Sequence, residues 1–395
     1  MVKNFIYLIA LNTVIAGLGG LKVFGFAFHG WSWIISLFIS LFLFFGGKGR
    51  AHTLIYIWFP WIVWVLIKTD FSDLLSIQRC LLLLTPIIVF FATIKSHYIK
   101  IRHIKNAYLM VFGGSWLVCL IYSLCVVLQV SINKKYGGAG QAMTFELIAI
   151  AALGYIRINK IVGFLGFITS LIYCVIFDAR IEVLAIILIS SVAFPGFAKR
   201  RKIILFILGF FLAGAIFYSS PVQREIFWKG EGTICDLFSF NPKIVKSSGR
   251  LTNWPVYFQG IKNIWIGEGC GSSMDYGLKT FRSKKWSHPH NEFIRVIFEF
   301  GIIGFILLIL PFSYIFSKLT VINKKKGIER KSKELEWVGF VSRYGLLSLF
   351  LISLTDNVLL YGAFFGNLLF VTIGANFILG NCPPWEKVSK PSQVY

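Results

Sequence analysis

Long apolar stretches recur along the whole chain and constrain its fold more than any other feature. Hydrophobic residues make up 56% of the 395 positions and charged residues only 14%, which excludes an ordinary water-soluble globular domain. A bilayer core offers backbone groups no water, so apolar stretches that cross it are expected to be helices. The stretches are Phe5–Leu21, Trp31–Phe45, Leu54–Ile67, Cys80–Ile94, Ala107–Val130, Ala142–Ile156, Ile161–Phe177, Ile181–Phe194, Ile203–Tyr218, Phe293–Phe316, Trp337–Leu354 and Leu359–Leu379.

These stretches predict an all-α polytopic membrane protein of about twelve transmembrane helices with one large outer loop, although several are shorter than a full span. We expect helices one to nine within residues 1–219. The loop, with an amphipathic helix, takes residues 220–289, and the last three helices with a tail take residues 290–395.

The distribution of Lys and Arg indicates the orientation of these helices. Basic residues concentrate in alternate connections, as in the run Lys199 to Lys202 and the segment between Lys318 and Lys333, whereas short outer loops hold few, among them Arg79. By the positive-inside rule both termini are cytoplasmic and the loop is outside. The net charge of +23 then reflects topology and attraction to anionic lipid headgroups, and nucleic acid is not an expected partner.

The outer loop is itself basic, which the positive-inside rule does not explain. The excess charge indicates an anionic ligand at the outer face, with headgroup contact as the alternative. Leu251, Trp254 and Phe258 recur at helical spacing and predict an amphipathic helix on the bilayer, with Asn253 as its N-cap. Cys235 and Cys270 both lie in the loop, and their spacing leaves open whether they form a disulfide.

Two arginines stand out at the outer face. Arg180 follows Asp178 at the junction of two apolar stretches, where the pair is either a local salt bridge or part of a polar site, because charge inside a membrane is costly. Arg250 follows Ser248-Gly249, where a flexible backbone exposes the guanidinium.

The segment Trp286 to Glu292, Trp-Ser-His-Pro-His-Asn-Glu, joins the loop to the next apolar stretch. His288-Pro289 resembles an N-cap followed by a first-turn proline, which places His290 in the opening turn. The helix dipole there disfavours a positive imidazole, so His290 is a candidate proton acceptor. Glu292, Arg295 and Glu299 follow on one helical face and are expected to pair internally.

In combination these motifs resemble the O-antigen ligase and polymerase superfamily of bacterial surface-polysaccharide membrane enzymes. The resemblance rests on Asp178-Ala179-Arg180, Ser248-Gly249-Arg250, Trp254, Ile264 to Gly269, His288 to Glu292, Gly301-Ile302-Ile303-Gly304 and Asp356. Ala179 departs from the family, which commonly has Ser or Thr before the arginine.

The resemblance implies a GT-C-like enzyme at the periplasmic face of the bacterial inner membrane. Its reaction would be inverting, metal-independent and cofactor-free transfer of a glycan from undecaprenyl diphosphate to a sugar hydroxyl. By the same resemblance Arg180 and Arg250 bind the diphosphate and His290 is the general base. Supporting residues are His288, Asn291, Glu292 and Asp356.

Three functions follow from this pattern. The full His-Pro-His-Asn-Glu string favours a ligase, whose acceptor is lipid A-core. A polymerase would instead join lipid-linked repeat units. A flippase or transporter of lipid-linked sugars is the third, but the charges cluster at the outer face, and no pair of interrupted helices at matched positions indicates an inverted repeat.

Overall fold

The computed structural model describes residues 2–18, 22–23, 26–47, 53–96, 99–127, 139–177, 179–193, 207, 214, 217–218, 220–239, 241, 243–246, 249–282, 287–325 and 332–381. The described chain is almost entirely helical. Its helices are α1 (Val2–Ala16), α2 (Phe28–Gly46), α3 (Thr53–Tyr56), α4 (Phe59–Ile67), α5 (Leu74–Ile94), α6 (Ile101–Val127), α7 (Ala139–Tyr155), α8 (Lys160–Ile176), α9 (Arg180–Ala193), α10 (Ser220–Ile226), α11 (Ile234–Phe238), α12 (Arg250–Gln259), α13 (Ser272–Phe281), α14 (Glu292–Lys325), α15 (Lys333–Ser353) and α16 (Gly366–Asn381). A 3₁₀ turn covers Val358–Tyr361, and β1 (Lys22–Val23) pairs antiparallel with β2 (Phe26–Ala27).

Within the described residues, four helices are long and apolar enough to cross a membrane: α5, α6, α14 and α15. Shorter apolar helices accompany them, including α1, α8 and α16. The chain is therefore helical and suited to a multi-pass membrane protein. The predicted count of about twelve spans stays a prediction, and the predicted stretch Ile203–Tyr218 falls almost wholly outside the described residues.

Two predicted helices differ in detail from those observed. The stretch Leu54–Ile67 divides into α3 and α4, and Pro60 occupies the first turn of α4, a position that proline favours. The last stretch begins as the 3₁₀ turn Val358–Tyr361, so α16 starts only at Gly366.

Helix α14 is interrupted at Gly301, whose φ of +69° lies in the left-handed region that favours glycine. A segment of the predicted outer loop, residues 264–269, runs alongside the break. The backbone N–H groups of Ile302 and Ile303 donate to the carbonyls of Ile264 and Trp265, at 2.9 and 3.1 Å. A Cβ at position 301 would collide with the Trp265 carbonyl.

The loop also satisfies the carbonyls exposed on the other side of the break. The N–H groups of Glu268 and Gly269 both donate, at 2.9 Å, to Phe298 and Glu299, and Trp64 Nε1 donates to Phe300 at 2.9 Å. Irregular backbone within a membrane helix requires such protein partners. The loop is thereby fixed against the helix that follows His290.

A large aromatic core holds the bundle together. Trp61 packs edge-on against Phe300 with ring centroids 5.2 Å apart, and Trp58 packs against Phe312 at 5.1 Å. A smaller cluster of Tyr257, Ile294 and Phe298 attaches α12 to α14. Helix α12 therefore packs against α14, the same helix whose break is hydrogen-bonded to the loop.

Helix α12 begins earlier than the sequence predicted. Its N-cap is Gly249, with a φ of +82°, and Asn253 lies inside the helix. Asn253 is the wrong N-cap because the left-handed turn at Gly249 starts the helix at Arg250, three residues before Asn253. Trp254 Nε1 donates to the carbonyl of Pro289 at 2.7 Å, so this tryptophan packs on protein, whereas Phe258 is 44% exposed.

The two loop cysteines are not bridged in this structure. Cys235 is free and exposed, and Cys270 is free and buried. The Cys270 thiol lies 3.6 Å from the carbonyl oxygen of Ser76, which attaches the loop to α5.

Candidate functional site

The segment that carries His290 is a short connector ahead of α14. The helix begins at Glu292, and the side-chain oxygen of Asn291 accepts from the N–H of Ile294 at 3.0 Å. Asn291 is therefore the N-cap. The prediction that His288 caps the helix and that His290 occupies its first turn is wrong, because the shorter Asn291 side chain reaches the free N–H groups.

His290 instead adopts a φ of +48°, a left-handed conformation that is uncommon for a residue with a side chain. Asn291 Nδ2 donates to the carbonyl of Leu354 at 2.7 Å, which ties the connector to the end of α15. Strained backbone persists where its surroundings hold it. The two tethers on Asn291 therefore set the position of His290.

The structure brings His290 together with Asp356, which follows α15. His290 Nδ1 lies 3.5 Å from Asp356 Oδ1, with side chains 28% and 9% exposed, respectively. The N–H of Asn357 donates to the same carboxylate oxygen at 2.7 Å. A buried, anchored carboxylate beside one ring nitrogen orients the imidazole and favours a proton on that nitrogen.

The two predicted arginines stand at helix starts. Arg180 opens α9 and is exposed, and Arg250 opens α12. The buried Glu182 interacts electrostatically with both Asp356 and Arg250. Asp178, the expected partner of Arg180, lies outside the described residues.

Sequence reasoning missed Glu182. A carboxylate two residues after Arg180, inside an apolar run, is the signal that could have identified it, because intramembrane charge usually has a functional or pairing role.

Sequence reasoning also missed the role of Arg79, which was expected in a short outer loop but lies within α5. Its Nη2 lies 3.4 Å from Nε2 of His288 and 2.9 Å from the sulfur of Met274. Burial, reinforced by the positive charges of Arg79 and Arg295, lowers the pKa of His288 to about 3. His288 is therefore neutral at any pH at which the protein would work.

The paired ladder expected on α14 is confirmed. Arg295 is fully buried, hydrogen-bonds to Glu292, and donates to Glu299 Oε2 at 2.8 Å. Ser273 donates to the other oxygen of Glu299 at 2.5 Å, which joins α13 to α14. The Glu292 side chain is only 1% exposed. It is therefore buried behind the site, in its ion pair with Arg295.

The arrangement offers a partly exposed imidazole, a carboxylate that orients it, and several guanidiniums. Such a set suits proton removal from a hydroxyl next to a phosphate-bearing leaving group. Within the described residues, no group of three or more His, Cys, Asp or Glu side chains is placed to hold a metal ion.

None of the curated proteins matches this chain. Residues 165–309 match the family model described as O-antigen ligase. That segment includes Arg180, Arg250 and His290, whereas Arg79 and Asp356 lie outside it. This match supports the O-antigen ligase superfamily for that segment of the chain and does not distinguish a ligase from a polymerase.

Proposed function

We propose that this protein is an O-antigen ligase. It would transfer a glycan from undecaprenyl diphosphate to a sugar hydroxyl of lipid A-core at the periplasmic face of the bacterial inner membrane. The observation that carries the proposal is the contact between His290 and Asp356, with His290 inside the chain segment that matches the family.

In the proposed reaction His290 is the general base. With Asp356 beside Nδ1, the other ring nitrogen is left to accept the proton of the acceptor hydroxyl. The hydroxyl oxygen then bonds to the anomeric carbon while the bond from that carbon to the diphosphate oxygen breaks. A single displacement of this kind inverts the anomeric configuration. Base catalysis by a placed histidine typically contributes about 10²–10⁴-fold.

The departing lipid diphosphate gains negative charge in this step. Arg180 and Arg250 would stabilise that charge through charge-assisted, bidentate hydrogen bonds. Guanidiniums can thus supply charge compensation without a divalent ion or another cofactor. Asp356 would stabilise the imidazolium that forms, as the carboxylate does in hydrolase triads.

The proposal includes a multi-pass arrangement with both termini in the cytoplasm. The loop and the His290 site would face the periplasm, and the exposed apolar helix faces would contact membrane lipids. The distribution of Lys and Arg along the chain supports this orientation by the positive-inside rule.

The test is transfer by purified protein in detergent, with lipid A-core and a second lipid-linked glycan offered separately. Transfer to lipid A-core supports the ligase. Transfer only to the lipid-linked glycan would make the protein a polymerase that uses the same residues. Because detergent has no sealed membrane, the absence of any transfer, combined with glycolipid movement in vesicles, would identify a flippase instead.

A further inference from the structure

A cavity opens between α6, α7, α8 and the start of α15. Its lining includes Lys105 and Leu109 of α6, Ala152 and Tyr155 of α7, Val162 of α8 and Trp337 of α15. Its empty space is about 510 Å³, counting the part that opens outward. That size is in the range of small-molecule sites, roughly 300–1,000 Å³. None of the described residues that we assign to glycosyl transfer lines it.

The wall of this cavity suits an apolar ligand. Apart from Lys105, every lining residue is aliphatic, aromatic or glycine. The polar atoms of two lining aromatic residues already have partners within the protein. The Tyr108 hydroxyl lies 3.0 Å from Thr372 Oγ1, and Trp337 Nε1 donates to the carbonyl of Ala151 at 2.8 Å. A polar ligand group buried here without a partner would be costly, so the interior fits a hydrocarbon chain.

The mouth of the cavity lies on a surface that is expected to face lipid. Leu109 and Val162 line the cavity and are both exposed. Their neighbours Ile161 and Phe164 on α8 are exposed as well. In a bilayer, acyl chains surround such an apolar face. A lipid tail can therefore enter the cavity without crossing water.

Basic residues lie at one end of the cavity. They are Arg102 and Lys105 at the start of α6, and Arg157 and Lys160 at the turn between α7 and α8. Two acidic residues, Glu334 and Glu336, lie at the start of α15, and Glu336 pairs with Arg157 at 3.5 Å. The positive-inside rule predicts that this end is cytoplasmic, where part of the lipid headgroups is anionic.

Lys105 connects this charge to the cavity. It is the one charged residue of the lining, and it is half-buried. Its Nζ lies 5.2 Å from the centre of the Tyr155 ring, and the ion pairs between described residues do not include it. An ammonium over a ring still has N–H donors for an anionic oxygen. Basic pockets between membrane helices at the cytoplasmic side are typical sites for anionic lipid headgroups.

We propose that this cavity binds an anionic phospholipid of the cytoplasmic leaflet. One acyl chain lies in the apolar interior, and the headgroup phosphate accepts from Lys105 at the mouth. A second copy of the chain fits less well, because its own basic residues would face these. The site lies at the start of α15, whereas Asp356 follows the other end of that helix. The inference does not depend on glycosyl transfer, and only the leaflet follows from the proposed orientation.

The test is titration of delipidated full-length protein in detergent with palmitoyl-oleoyl phosphatidylglycerol, and in parallel with phosphatidylethanolamine of the same chains. Native mass spectrometry counts the bound lipid, and tryptophan fluorescence follows the melting temperature. Phosphatidylglycerol should bind more tightly and raise the Tm more. Lys105→Gln should weaken phosphatidylglycerol binding about fivefold, the effect of one basic residue near a membrane surface. Binding of phosphatidylethanolamine should change less.

Two matched controls separate this site from general lipid contact. Lys318 Nζ also lies 5.2 Å from a tyrosine ring centre, that of Tyr314, but Lys318 does not line the cavity. Lys318→Gln should therefore bind both lipids as the wild type does. Leu109→Trp tests the apolar part, because a larger side chain at the mouth should weaken binding of both lipids. Leu117→Trp is its control, since Leu117 is exposed on the same helix outside the cavity.

Equal affinity of the wild type for the two lipids would overturn the proposal, as would equal losses in Lys105→Gln and Lys318→Gln. Unchanged lipid binding in Leu109→Trp, together with loss of a dimer, would assign the cavity to a second copy of the chain instead. If Leu109→Trp fails to accumulate in the membrane, the comparison of Lys105→Gln with Lys318→Gln decides the question. Glycan transfer is a separate measurement, so a failed lipid site leaves the proposed function standing.

Discussion

His290 Nδ1 lies 3.5 Å from Asp356 Oδ1, although the two residues belong to different segments of the chain. His290 lies ahead of α14, and Asp356 follows α15. The proximity gives the histidine a fixed neighbour that can orient its ring.

Replacement of His290 by Ala should reduce kcat by about 10²-fold or more, because the acceptor hydroxyl loses its base. Transfer by purified protein measures the effect. His103→Ala is the control, since that histidine lies on α6 beside Tyr7. Near-normal turnover of His290→Ala would remove the proposed base.

Replacement of Asp356 by Asn should also reduce kcat substantially, because the amide keeps the shape of the side chain but not its charge beside the imidazole. Orientation of a histidine by a carboxylate is worth up to about 10⁴-fold in hydrolase triads. The comparison is made at saturating donor and acceptor. An Asp356→Asn protein with wild-type kcat would show that the contact with His290 is only structural.

The two arginines at helix starts should not tolerate lysine. Arg180→Lys and Arg250→Lys are expected to be almost as damaging as the corresponding alanine variants, because a point ammonium cannot reproduce a bidentate fork. The KM for the lipid-linked donor and kcat are both measured. Arg282→Lys serves as the control, and full activity in both site variants would argue against diphosphate recognition.

The depressed pKa of His288 should make folding stability depend on pH. The unfolded histidine takes up a proton near pH 6.5, whereas the folded one does so only near its pKa of about 3. The stability associated with this group is thus fully present above pH 6.5 and is lost as the pH falls toward 3. Between pH 7 and 5 the loss amounts to roughly 2 kcal/mol.

The pH effect is tested by following the melting temperature of the detergent-purified protein by tryptophan fluorescence at both pH values. His288→Asn cannot titrate in this range, so its Tm should fall less than that of the wild type. Equal decreases in the two proteins would show that His288 is not held neutral by its surroundings.

Transfer is expected to survive excess EDTA. A Mg²⁺ ion on a diphosphate is usually held by adjacent carboxylates. The carboxylates of the predicted outer loop, such as Glu231, Asp236 and Asp275, are instead scattered along the sequence. Loss of activity in EDTA, restored by Mg²⁺ or Mn²⁺, would make Asp178 and Asp356 candidate ligands instead.

Much of this protein was readable from its sequence, because the signals involved are local. Apolar stretches predict membrane helices because backbone groups in a bilayer must form hydrogen bonds within the chain. Helices α5, α14 and α15 lie where those stretches predicted them. Glu292, Arg295 and Glu299 pair as their helical spacing indicates. The family motifs likewise predicted Arg180, Arg250, His290 and Asp356 as site residues without any knowledge of their contacts, and their roles stay a prediction.

Tertiary structure alone decided how these residues meet, because contacts between distant segments depend on packing that no local pattern records. Asn291 displaced His288 as the N-cap since its side chain is tied to both α14 and α15. Gly301 interrupts α14 because the carbonyl of Trp265, from a distant loop, takes the space that a side chain would need. In the sequence, Arg79 looks like one of the charged residues that mark the ends of membrane helices. Its contact with His288 exists only because helix α5 places the two side chains next to each other.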